Sequence, residues 1–159
     1  MAGFTTVTAS LTAGTIGQLA EALRRARSYV LQDATAIPPG RAVVYDAAND
    51  SVMLPSAGGQ QFMGIAFDDG TLAVETVAFT AASDPNVPAL EDGVCWVLTS
   101  EAVTPASSVF FQHDGSGSGP AGSFRTDQDG GKATQIAYGC RWAGSYSSGK
   151  AALIVNLPA

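Results

Sequence analysis

His113 is the sole histidine of the chain. Any serine–histidine–aspartate chemistry would have to run through it, with Asp114 beside it and Ser116 close by. Neighbours in sequence do not orient a triad, and the strand–turn–helix setting that presents a nucleophile is missing around Ser116. His113 therefore reads as a solvated loop residue. One histidine and two separated cysteines, Cys95 and Cys140, cannot build a zinc site without carboxylate help. Gly117-Ser-Gly119-Pro-Ala-Gly122 matches a dinucleotide fingerprint by letters, but Pro120 and the Asp/Gly-rich residues beyond Phe124 open no helix. It reads as a flexible loop. Asp127-Gln-Asp129-Gly-Gly131 resembles the start of a calcium loop yet lacks the third acidic ligand and the closing glutamate, so it reads as a hairpin turn. Asp68-Asp69 and Glu91-Asp92 are adjacent rather than facing carboxylates and read as solvated. The sequence therefore predicts no catalytic, cofactor-binding or metal-binding residues, and a protein that is not an enzyme.

The 159 residues suffice for one domain with a sizeable core. Charged residues make up only 14%, against roughly 25% in typical soluble domains. Either coverage of the surface by other protein or a compositional bias of the genome would give this. The net charge is −6, and Lys132 and Lys150 are the only lysines, so the footprint for a phosphate backbone is missing and no nucleic-acid partner is expected. The cluster Arg24, Arg25 and Arg27 is too short for a polybasic membrane patch, and no apolar run reaches spanning length, so no membrane partner is expected. The N-terminus has no charged segment leading into an apolar one, which predicts no secretory signal. Without export, Cys95 and Cys140 read as small reduced hydrophobes.

The elements that would carry these residues are short strands. Ile37-Pro-Pro-Gly-Arg-Ala-Val-Val-Tyr-Asp46, Ser51-Val-Met-Leu54 and Phe62-Met-Gly-Ile-Ala-Phe67 are apolar runs rich in strand formers and bounded by Pro, Gly, Asn or Asp. Further runs follow at residues 71–80, 94–99, 107–112, 135–142 and 151–157. This spacing predicts an all-β domain, a small antiparallel sandwich or barrel of about nine short strands. Trp96 and Trp142 fall within strands and are expected in the core.

Ahead of this β-domain, placed at residues 37–159, the period changes. Ile16, Leu19, Ala20, Leu23 and Ala26 follow helical spacing, Thr15 and Gln18 form a capping box, and Glu21 stands four residues before Arg25. A short helix over residues 16–27 is predicted, within an approach segment at residues 14–36. Residues 1–13 alternate weakly, with Phe4, Val7, Ala9 and Leu11 among Thr and Ser. They read as an extended arm that adds a strand to another chain, or as an edge strand or frayed terminus of the domain itself.

Ala36-Ile-Pro-Pro-Gly-Arg-Ala-Val-Val-Tyr45 followed by Phe62-Met-Gly-Ile-Ala-Phe67 resembles the bacteriophage structural cement, or capsid decoration, proteins. So do Gly93-Val-Cys-Trp-Val97, Glu101-Ala-Val-Thr-Pro105, Gly122-Ser-Phe-Arg-Thr-Asp127, Ala137-Tyr-Gly-Cys-Arg-Trp142 and Ala152-Leu-Ile-Val-Asn156. The resemblance implies a protein made in the host bacterial cytoplasm that binds the outer capsid surface of the virion. It further implies a homotrimer that stabilises contacts between capsomers, with the major capsid protein as partner. In that setting Phe4, Val7 and Leu11 of the arm and Arg24, Arg25 and Arg27 are the candidate partner-interface residues. The alternative is a β-sandwich binding module of a phage fibre or tail, with possible carbohydrate recognition through exposed rings. Trp96, Trp142, Tyr45, Tyr138 and Tyr146 are its candidates.

Overall fold

A computed structural model of the chain describes residues 15–21, 24–68 and 78–159. It contains ten strands: β1 Arg25–Val30, β2 Ala42–Asp46, β3 Ser51–Met53, β4 Phe62–Ala66, β5 Asn86–Thr99, β6 Phe110–Gln112, β7 Phe124–Arg125, β8 Ala133–Gln135, β9 Cys140–Trp142 and β10 Gly149–Asn156. They join in one sheet whose main path runs β3-β2-β4-β5-β7-β6-β8, with β1 and β10 also on β5 and β9 on β10. The fold is all-β, as expected. All strand pairs are antiparallel except β5 with β7, which meet in parallel at Thr99 and Phe124. No described residue lies in an α-helix, and the only helical turn is a 3-10 turn at Asp129–Gly131.

β5 organises the sheet because both of its faces are buried. Leu90, Cys95 and Val97 enter a core with Val44, Ile65, Phe111, Phe124, Trp142 and Leu153. On the opposite face Val87 and Ala89 join Leu31, Ile37, Val43, Val52, Ala66 and Phe79. Further along that strand Val94 and Trp96 pack with Ala152. Neighbouring residues fall into different clusters within 87–90 and within 94–97, as a strand's alternation requires, and the phase changes between them where β1 shifts register against β5. Burial on both faces also explains the nearly continuous apolar run around Cys95. Trp142 and Trp96 are 1% and 4% exposed, so both tryptophans are core residues as expected. Fully burying such a ring contributes about 2–3 kcal/mol.

The predicted helix over residues 16–27 is not formed. Residues 22 and 23 lie outside the described ones, but the rest of this stretch runs antiparallel along β5. Gly17 N–H donates to Trp96 O at 2.7 Å, Ala20 N–H to Val94 O at 2.8 Å and Arg24 N–H to Asp92 O at 3.3 Å. β1 then pairs from Arg25 opposite Asp92 to Val30 opposite Asn86. The capping box is half realised, since Gln18 Oε1 accepts the Thr15 N–H at 2.9 Å, but it closes a turn rather than opening a helix. The physical reason is tertiary. A long central strand leaves a row of backbone donors and acceptors that must be paired when buried, and this segment supplies the partners.

One glycine is fixed by close approach. Gly64 in β4 has φ +140°, and a Cβ there would lie 2.6 Å from Leu90 O. It stands next to the register shift between Val43 and Val44, where β4 changes its pairing with β2. The predicted run at residues 71–80 mostly lies outside the described residues, although Phe79 bridges Ile37.

Candidate functional site

The groups considered for catalysis are not arrayed as a catalytic constellation. His113 Nδ1 lies 2.9 Å from Thr134 Oγ1. Asp114 instead accepts the Ser116 N–H at 2.8 Å, and that backbone bond is the main cause holding its carboxyl below the ordinary range. Asp114 closes a local turn and does not orient the imidazole. Cys95 and Cys140 are free thiols, each pushed up to about 12 by burial, so neither is a nucleophile at neutral pH.

The calcium-like residues do gather, but around a guanidinium. Arg125 is 5% exposed. Its Nη2 lies 2.6 Å from Asp127 Oδ1, its Nη1 3.1 Å from Asp129 Oδ2 and its Nε 3.8 Å from Glu101 Oε1. The cation at the centre of these carboxylates is the protein's own. Asp129 also accepts from Gln112 Nε2 at 2.9 Å, Ser118 N–H at 2.7 Å and Ser118 Oγ at 2.8 Å. The hydrogen bonds from Ser118 are the largest cause lowering the Asp129 carboxyl to about 2. They tie the Gly/Ser loop to the sheet, whereas its composition predicts a flexible loop. Gly117 permits the close approach: a Cβ there would overlap Gln112 Nε2 and Asp129 Oδ2.

A second charge cluster lies on β1 and β5. Glu91 reads as a solvated turn residue in the sequence, yet its side chain is only 8% exposed. It accepts from Arg25 Nε at 3.0 Å and from Tyr29 Oη at 2.9 Å, and Arg27 Nε lies 3.4 Å from its Oε1. Desolvation, followed by the bond to Glu91, raises the Tyr29 phenol above its ordinary value. Arg25 also donates from Nη2 to the carbonyls of Leu157 and Pro158, which fastens the C-terminal residues against β1. The three arginines therefore part company. Arg25 is drawn inward, while Arg24, 3.9 Å from Asp92, and Arg27 keep side chains that are 66% and 61% exposed. The other candidate interface residues, Phe4, Val7 and Leu11, lie outside the described residues.

Beside Glu91 lies an open trough of about 460 Å³, lined mainly by residues 60–63, 134–138 and 157–159. Phe62 and Phe111 stack at 5.9 Å between centroids among its lining residues, and Tyr138, 70% exposed, is also part of that lining. Sequence reasoning missed this assembly. One signal was available, since Arg25, Arg27 and Tyr29 recur every second residue and share one strand face.

The described residues form a β-sheet module whose charge clusters brace its own loops and strands. A family model described as "Structural cement protein (E217 gp24/Pam3 gp6)" matches residues 4–156. The chain belongs to this phage structural cement family, as the residues of the sheet resembled. It is a structural protein associated with a phage capsid, and its role is that of a capsid cement. No curated protein matches the chain in sequence. Among solved structures, a chain of "The capsid of Myoviridae Phage XM1" is similar, with a TM-score of 0.73, 98% of each chain covered and 17% sequence identity. At that identity the likeness is one of fold.

Proposed function

We propose that the protein binds the outer surface of the phage head through the major capsid protein and clamps neighbouring capsomers together as a homotrimer. The family match over residues 4–156 carries this reading. The fold supports it, because a sheet buried on both faces resists deformation where a shell is under outward pressure. Arg24 and Arg27 present exposed guanidinium groups suited to bidentate contact with capsid carboxylates, and Arg25 holds their strand in place. Residues 1–13, with Phe4, Val7 and Leu11, would add a strand to a capsid edge. Several weak contacts per copy, multiplied by three copies, then act together.

The test is cosedimentation of the purified protein with cognate capsids lacking it, followed by electron cryomicroscopy of the pellet. Saturable binding with threefold density on the outer surface is expected. No binding would overturn the reading. The carbohydrate-module alternative loses Trp96 and Trp142, which are buried, and retains Tyr138 as its one strongly exposed aromatic among the described residues.

A further inference from the structure

Three runs of consecutive residues, 60–63, 134–138 and 157–159, line the trough beside Glu91. Side chains of an extended strand alternate between faces, so a wall formed by consecutive residues presents the edge of the chain and not one face. The ladder identifies what that edge offers. Ile136 N–H donates to Val109 O at 2.9 Å, and His113 N–H to Lys132 O at 2.9 Å. Phe110 stands opposite Gln135 in the same register. In an antiparallel pair bonded and non-bonded positions alternate, so the Gln135 N–H and C=O point away from β6. Ala133, the next such position back, has its outward N–H taken by Gln128 O at 3.0 Å. β8 has no strand partner besides β6 among the described residues. Among the described residues no partner takes the outward Gln135 N–H or C=O, which leaves a donor–acceptor pair on that edge.

The run at residues 60–63 also has strand partners on one side only among the described residues. β4 pairs with β5 only at Ile65 and Ala66, so its earlier residues carry a ladder on the β2 side alone. Phe62 and Met63 are half-buried there, although they belong to a strand. Arg27 is the one basic residue among those lining the trough. Glu91 is engaged by Arg25, Arg27 and Tyr29, whereas the Arg27 side chain remains 61% exposed.

We infer that this trough receives an extended segment of the capsid protein, added as a strand along Gln135, with an apolar side chain set on Phe62 and Phe111 and a carboxylate reaching Arg27. The inference rests on the capsid-binding reading above. Backbone pairing supplies the attachment, and the apolar floor and the arginine select the sequence. Tyr138, 70% exposed in the free chain, covers the segment from the rim and is buried there on binding, as aromatic anchors at hot spots are.

Hydrogen exchange on the full chain, free and bound to capsids, is the direct test. Slowed exchange at the Gln135 amide and at residues 60–63 on binding is expected. In cosedimentation, Gln135→Pro, which removes the outward N–H and leaves the β6 ladder intact, should weaken binding about tenfold or more. Arg27→Gln and Tyr138→Ala, at exposed positions, should each weaken it with a melting temperature close to that of the wild type, because Arg25 and Tyr29 keep Glu91 engaged. Wild-type binding with unchanged exchange and unaffected variants overturns this inference alone. Failure of the wild type to bind overturns the capsid reading and this inference with it. Loss of self-association in Gln135→Pro, with capsid binding retained, would assign the trough to a second copy of the chain and also overturn it.

Discussion

Arg125 and Asp129 form an ion pair at 3.1 Å across a single turn, with the guanidinium almost wholly enclosed. Asp127 and Glu101 close around the same group, and Gln112 Oε1 accepts from its Nη1 at 3.4 Å. The chain thus places its own fixed cation among these carboxylates.

Arg125→Met should be strongly destabilising. Removing one partner from a buried ionic cluster leaves the remaining charges uncompensated, at about 3–5 kcal/mol. Asp127 is largely exposed, which places the expected loss near the lower end. Urea unfolding of the variant measures it, and a change under about 1 kcal/mol would contradict the structural role given to Arg125.

Asp129 makes the cluster acid-sensitive. Its carboxyl is lowered from 3.8 to about 2 in the folded chain, so folding favours the ionised form. The resulting stability is present in full above the unfolded value and is lost as pH falls through the folded one. The melting temperature should drop between about pH 4 and pH 2. In Asp129→Asn that slope should be shallower. Equal slopes in the two proteins would assign the acid sensitivity to other carboxylates.

Gly117→Ala tests the close approach of the Gly/Ser loop. Its Cβ would overlap Gln112 and Asp129, so the loop must shift and release Ser118. A loss of about 1–3 kcal/mol is expected, with faster exchange of the Ser118 amide. A neutral substitution would mean that the loop yields easily.

Glu91→Gln should weaken the hold of β1 on β5. The carboxylate accepts from Arg25 and Tyr29 and faces Arg27, and its side chain is nearly buried. A cost of about 1–3 kcal/mol is expected. A double-mutant cycle with Arg25→Met should give a coupling of about 1 kcal/mol or more. Additive effects would show that the pair does not act as a unit.

Much of this molecule was legible in local sequence. Strand punctuation marked β2, β3 and β4 because Pro, Gly, Asn and Asp impose turn geometry whatever surrounds them. Trp96 and Trp142 could be placed in the core because large rings inside apolar strands have nowhere else to go. The residue phrases from Ala36 to Asn156 also carried the cement-family resemblance.

What failed was information that resides in a partner distant along the chain. Residues 16–27 hold a helical period and a capping box, but β5 requires an edge partner, and its backbone pairing outweighs a helix propensity of a few tenths of a kcal/mol per residue, roughly. Glu91 read as a solvated acid and Asp129 as part of a hairpin turn, because Arg25 and Tyr29 reach Glu91 from β1 and Gln112 and Ser118 reach Asp129 from earlier in the chain. The edge at Gln135 depends on the register of β6 against β8, which no single segment encodes. Sequence alone determined β2, β3 and β4, the core tryptophans and the family resemblance. The tertiary structure decided which charges are buried, where the arginines point and which edge is left open, since each of those is a relation between segments far apart in the chain.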